Sequence, residues 1–241
     1  MQSPAAILGH AAPSIRISMS VRIVVGTLFI VDALFVGLYL LMTPLFRGEI
    51  ATLSVAEERS VPTWYASMKL LLVAQVCAAA AFLVPNSALV ARLAMFGLAA
   101  VFLLFSVDEI ASLHERFGWR LNAWFADGGA QDELLFARTG YWMVVLLPLA
   151  LATLAALAVA YFRAGRPALG TVFKALIGAA VFFTGAAGIE AVQNFLADGA
   201  ALTVAIAIEE GFEMAGATFL FWAAVDELMR LGRRRLGLNP P

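Results

Sequence analysis

The chain has 241 residues, 62% of them hydrophobic and only 14% charged, against roughly 25% charged in an average soluble domain. Its 16 basic and 17 acidic side chains leave a net charge of −1, so there is no basic footprint for nucleic acid, and the apolar excess excludes a disordered chain. The one cysteine, Cys77, excludes a disulfide framework and a cysteine-built zinc cluster, which leaves an integral membrane protein in contact with the lipid bilayer.

Six apolar stretches, 21–46, 63–84, 91–113, 139–162, 170–196 and 201–229, are each long enough to cross a hydrocarbon core of roughly 30 Å. The runs are continuous rather than alternating, so they read as helices and not as barrel strands. The expectation is an all-α, polytopic transmembrane helix bundle of about six spans. It forms one domain over 21–229 between an N-terminal tail, 1–20, and a basic tail, 230–241. The first run is too long for a signal-peptide core and no A-x-A site follows it. Arg16 and Arg22 precede it instead, as in a signal anchor.

In chain order, span 1 carries Asp32, which suits either a hydrogen bond to a neighbouring helix or a proton path. Span 2 is opened by Trp64 and Tyr65 directly after Pro62, a favoured first-turn residue, and holds Lys69 about two turns in. Span 3 runs through Asp108 and Glu109 to Ser112, His114 and Glu115. After it, Trp119, Leu121, Trp124 and Phe125 alternate with Arg120, Asn122 and Asp127. That pattern fits a short amphipathic helix in the interface or a loop with belt aromatics. Span 5 ends on Glu190, Gln193 and Asn194, and span 6 contains Glu209, Glu210 and Glu213.

Positive charge sets the expected orientation. With the N-terminus inside, the inner side holds Arg16, Arg22, Arg92, Arg163, Arg166, Lys174, Arg230, Arg233, Arg234 and Arg235, and the outer side only Arg47, Arg59, Arg116, Arg120 and Arg138. Both termini are then cytoplasmic, in a bacterial inner membrane.

A carboxylate at mid-membrane costs at least about 2.5–3.5 kcal/mol on insertion scales. Asp108, Glu109, Glu190, Glu209, Glu210 and Glu213 must therefore face one another, water or a cation. Spans 3 and 5 run outward, placing Asp108 and Glu190 roughly 8–9 Å below the outer face, and span 6 runs inward, placing Glu209 to Glu213 roughly 12–18 Å below it. Helical spacing puts Asp108, Ser112 and Glu115 on one stripe, Glu190 with Gln193 and Asn194, and Glu209 and Glu210 with Glu213. Gly185, Gly188, Gly211 and Gly216 would let backbones approach closely. One convergent pocket near the outer face follows, open to an ion or small molecule from that side.

Crowded carboxylates take up protons or share metal ions. Oxygen donors with one imidazole suit manganese, iron or zinc, which makes Asp108, Glu109, His114, Glu115, Glu190, Glu209, Glu210 and Glu213 the candidate ligands. Lys69, Ser112, Gln193 and Asn194 are candidate counter-ion or supporting residues. Carboxylate di-metal bundles use Glu-x-x-His pairs, and this chain has none, so it shares their principle and not their motif. Plainer readings stand beside this one. Glu115 and Lys69 can snorkel to the interface, His114 can be a surface hydrogen-bonding residue, and the buried acids can lock helices together. Three functions remain open: metal binding with redox or hydrolytic chemistry, proton- or cation-coupled transport, and a structural or accessory subunit without catalysis.

Three patches resemble a family of uncharacterised bacterial multipass membrane proteins. Pro62-Thr63-Trp64-Tyr65-Ala66-Ser67 is similar to its Pro-Thr-Trp opening of the second span. Ser106-Val107-Asp108-Glu109 with Ser112-Leu113-His114-Glu115 is similar to its Ser-Leu-Asp-Glu and Ser-x-His-Glu pair, and Glu209 to Gly216 to its Glu-Glu-x-x-Glu-Met-x-Gly patch. Span 5 departs from the family pattern, with Ala191 and Gln193 where Met and Gly are expected. The resemblance implies a shared site and names no chemistry.

Overall fold

The computed structural model describes residues 4–46, 51–57, 60–126 and 134–238, with 4–18 and 44–46 by backbone alone. Arg47, Arg59 and Asp127, and the side chain of Arg16, lie outside the described residues. The described chain is all-α: α1 Pro4–Phe46, α2 Val61–Leu83, α3 Leu89–Ala111, α4 Leu113–Phe125, α5 Trp142–Gly165, α6 Leu169–Phe183, α7 Glu190–Gln193 and α8 Ala200–Arg235. A short 3-10 turn, Ala51–Leu53, precedes α2, and a π-helical segment, Thr184–Ile189, joins α6 to α7.

Five of these segments are long and apolar enough to cross a membrane: Met19–Thr43, Val61–Leu83, Leu89–Ala111, Trp142–Gly165 and Leu169–Gln193. The sixth expected span differs. Helix α8 is 36 residues long, yet its acids and terminal arginines take it outside the composition of an ordinary span. The N-terminus differs too, because α1 begins at Pro4 and runs unbroken through the stretch read as a tail.

Local rules explain the ends. Ser60 caps α2, its Oγ accepting from Thr63 N at 3.2 Å, with Pro62 in the first turn. Helices α2 and α3 lie closest over a seam of small residues, Ala74, Ala80, Ala81, Ala91 and Ala94, with Cys77 buried beside them. Small side chains suit helix pairing in lipid, where dispersion contacts and not water release hold the pair. Helix α8 runs through the middle of the bundle against α1, α2 and α6, while α5 leans on α3 and α4. The outward faces are apolar: Ile30, Leu34, Leu72, Leu103, Val145 and Phe173 are all exposed. An apolar exterior over several helices is a lipid-facing surface.

Residues 113–125 form a helix, the first of the two readings for that region. Its Trp119 and Trp124 are exposed, while buried Asn122 ties it to the following loop. Asn122 Nδ2 donates to Phe136 O at 3.0 Å and its Oδ1 accepts from Tyr141 N at 3.0 Å. Gly140, at φ 87°, lets the loop press on α4, since a Cβ at Gly140 would stand 2.8 Å from the Gly118 backbone.

Candidate functional site

The end of α3, the start of α5, α7 and the first half of α8 surround a cavity of about 670 Å³. All eight candidate ligands line it: Asp108, Glu109, His114, Glu115, Glu190, Glu209, Glu210 and Glu213. Ser112 and Gln193 line it as well. The convergence expected from depth and helical phase is therefore present, although two of the helices reach it by routes the spacing does not show.

The first route is a break in span 3. The stripe Asp108–Ser112–Glu115 does not lie on one helix, because α3 stops at Ala111 and Ser112 takes the left-handed conformation, φ 49°, ψ 45°. The Asp108 carboxylate holds the break. It accepts from His114 N at 2.9 Å through one oxygen and contacts His114 Nδ1 at 2.7 Å through the other. One acid thereby caps the first turn of α4 and pins the imidazole over the cavity. Burial opposes a charged ring, but the Asp108 hydrogen bond and charge, with the charges of Glu190 and Glu115, outweigh it and push His114 up to about 9. A metal bound there must displace that proton.

The second route is the π segment before Glu190. A wider turn changes helical phase, and Glu190 and Gln193 come out buried against the cavity. Glu190 Oε1 accepts from Trp142 Nε1 at 2.9 Å, and the Trp142 ring sits edge-on to His114 with centroids 4.7 Å apart. Gln193 Nε2 donates to Glu209 across the α7–α8 gap. Close backbone approach makes that reach short, since a Cβ at Gly185 would lie 2.7 Å from Glu209 O and one at Gly216 2.5 Å from Phe182 N.

Asp108, Glu190 and Glu209 thus have protein partners. Glu109, Glu210 and Glu213 receive no hydrogen bond or ion pair among the described residues. No three His, Cys, Asp or Glu side chains stand together as a ready-made metal site among the described residues. The wall beyond the acids is apolar, formed by Leu104, Phe105, Leu146, Leu149, Phe182 and Phe183.

Two candidates stand apart from the cavity. Lys69 is fully buried in a separate cluster, donating to Asp32 at 2.6 Å and to Met214 O at 2.7 Å, and it lies over the Tyr65 ring. Asn194 binds the segment before α5 instead: its Oδ1 accepts from Arg138 N and Thr139 N, and its Nδ2 donates to Thr139 Oγ1 at 2.9 Å. Arg138 and Thr139 themselves line the cavity.

A family model described as Domain of unknown function (DUF8692) matches residues 21–226. The chain belongs to this family. The matched region takes in the patches at 62–67, 106–115 and 209–216 that carry the sequence resemblance. No curated protein and no solved structure matches the chain.

Sequence reasoning missed Trp142. It is the first residue of α5, an aromatic at a span end, and nothing in that position separates an interfacial anchor from a donor to a buried acid. It missed a second buried network at the other end of the bundle too, where Tyr161 and Arg230 both donate to Glu227. Its signal was an acid and an arginine three residues apart on α8.

Proposed function

We propose that the acid-lined cavity is a cation site within the membrane and that its ligand is a divalent metal ion, manganese, iron or zinc. The observation that carries this is the convergence of eight acid and imidazole side chains from α3, α4, α7 and α8 on one cavity. Like carboxylates shielded from water need protons or a cation. Glu109, Glu210 and Glu213 supply the oxygens that have no protein donor, and Glu209 and Glu190 stand beside them. Coordination requires glutamate rotamer changes, which their flexible stems allow, and protonated His114 serves first as the charge partner of Asp108. A space of about 670 Å³ matches small-molecule sites of roughly 300–1,000 Å³, so a substrate for redox or hydrolytic chemistry can lie beside the ion.

The same reading takes α8 as the sixth crossing. With both termini cytoplasmic in a bacterial inner membrane, the cavity opens toward the outer face. The six spans rest on the length of the apolar runs, the single domain on the short pieces of chain left between them, and the orientation on the charge distribution.

Elemental analysis of the purified full chain tests the metal. Stoichiometric Mn, Fe or Zn is expected, with loss in Glu209→Gln and Glu213→Gln variants that retain the wild-type unfolding temperature. No metal after incubation with each ion sinks the reading. Cation- or proton-coupled transport is the second reading, favoured by the π segment and the Ser112 break, because discontinuous helices commonly form ion sites in transporters. Ion flux in liposomes without bound metal would select it.

A further inference from the structure

At the end of the bundle away from the acids, α2, α5 and α8 finish and α3 begins around a second cavity of about 600 Å³. Four arginines line it, Arg92, Arg166, Arg234 and Arg235, and no carboxylate does. The acids in the last turns of α8 are already engaged, Glu227 by Tyr161 and Arg230, and Asp226 by Lys174. None of the four pocket arginines forms an ion pair among the described residues.

Part of this cationic set has structural work. Arg92 Nη2 donates to Val84 O at 2.7 Å and to Asn86 Oδ1, and Arg235 Nη1 donates to Phe82 O at 3.3 Å. These contacts satisfy carbonyls at the end of α2 that have no partner within the helix. They use only part of each guanidinium, which has five donors. Arg92 Nε is buried without a partner among the described residues, an arrangement that costs free energy unless something accepts from it. Arg166 sits at the end of α5 in the left-handed conformation, φ 48°, which turns the chain away while leaving this side chain on the pocket wall.

Charge and shape name the ligand class. Guanidinium forks fit phosphate oxygens two at a time. The pocket wall continues into apolar surface, with Phe82 69% exposed and Leu83 and Pro85 beside it, while buried Leu231 backs the pocket. The cavity also lies where the candidate spans α2, α3 and α5 leave the apolar layer, the level of lipid headgroups. We propose that this cavity binds the phosphate of an anionic phospholipid, the four arginines holding the headgroup and the Phe82 face receiving the start of the acyl chains. Basic pockets between transmembrane helices recognise anionic headgroups by this chemistry. The proposal does not depend on the reading of the acid cavity.

The test uses delipidated full-length protein in neutral detergent, probed with phosphatidylglycerol, phosphatidylcholine and inorganic phosphate, and read by native mass spectrometry and thermal unfolding. The pocket variant is Arg234→Gln/Arg235→Gln, both exposed positions. The comparison variant is Arg163→Gln/Arg233→Gln, which removes the same charge from the same end outside the pocket lining. Phosphatidylglycerol is expected to bind and raise the unfolding temperature, with affinity at least about tenfold weaker in the pocket variant and nearly unchanged in the comparison variant. Arg92→Gln should weaken binding similarly. Equal loss in both double variants would mean diffuse attraction and no built site. Equal binding of phosphatidylcholine would mean an apolar groove alone, and equal stabilisation by inorganic phosphate a soluble ligand. Each of the three overturns the proposal.

Discussion

Lys69 is 1% exposed, and its ammonium is shared between Asp32, Met214 O and Thr218. Thr218 donates in turn to the second Asp32 oxygen at 2.9 Å, so the ion pair fastens α1, α2 and α8 at one point. Removing one partner of such a pair leaves an uncompensated buried charge. Lys69→Met should therefore lose about 3–5 kcal/mol, whereas Asp32→Leu/Lys69→Met should recover most of that. Thermal unfolding in detergent checks both, and additive losses in the double variant would show that the charges are not coupled. This pair was half legible. The sequence marks Lys69 and Asp32 as residues that need a partner, but depth along two helices does not say how those helices are rotated toward each other. The acids of the cavity were more legible because several of them share one layer, and many residues agreeing on one depth leave little freedom of arrangement.

At the scale of elements, two glycines carry different loads although both were read as sites of close approach. A Cβ at Gly216 would lie 2.5 Å from Phe182 N and 2.6 Å from its Cα, whereas one at Gly188 would meet only Thr184 Cγ2 at 3.9 Å. Backbone cannot yield as a side-chain tip can. Gly216→Ala should cost about 1–3 kcal/mol by forcing α6 from α8, and Gly188→Ala should stay within about 0.5 kcal/mol. Parallel unfolding curves compare them, and equal effects would mean that the α6–α8 seam does not depend on close contact. The helices themselves were legible from length and apolarity. Their irregularities were not. Ser112 is no preferred left-handed residue, and its conformation is held by a carboxylate capping a helix that starts beyond it. The π segment has no signature either, because a helix apolar on nearly all faces carries no polar stripe whose slip would reveal an extra residue.

For the whole molecule, α8 decides how the chain sits in the bilayer. If the five apolar segments alone cross, the ends of the chain lie on opposite sides; if α8 crosses too, they lie on the same side. The charge count of α8 does not argue against a crossing, because its acids are enclosed or paired: Glu209, Glu210 and Glu213 line the cavity, while Asp226 and Glu227 have basic partners. A helix whose charges face inward can lie at membrane depth without exposing them to lipid. Cysteine labelling with a membrane-impermeant maleimide on intact cells separates the cases, with Cys77 buried and contributing little background. Asp198→Cys just before α8 and Trp124→Cys at the end of α4 should label. Ser87→Cys between α2 and α3 and Leu236→Cys at the end of α8 should label only after the membrane is opened. Equal labelling of positions 198 and 236 on intact cells would mean that α8 does not cross. The cavity would then have to be assembled by a helix lying along the membrane, with its acids open to water and much less need of a cation.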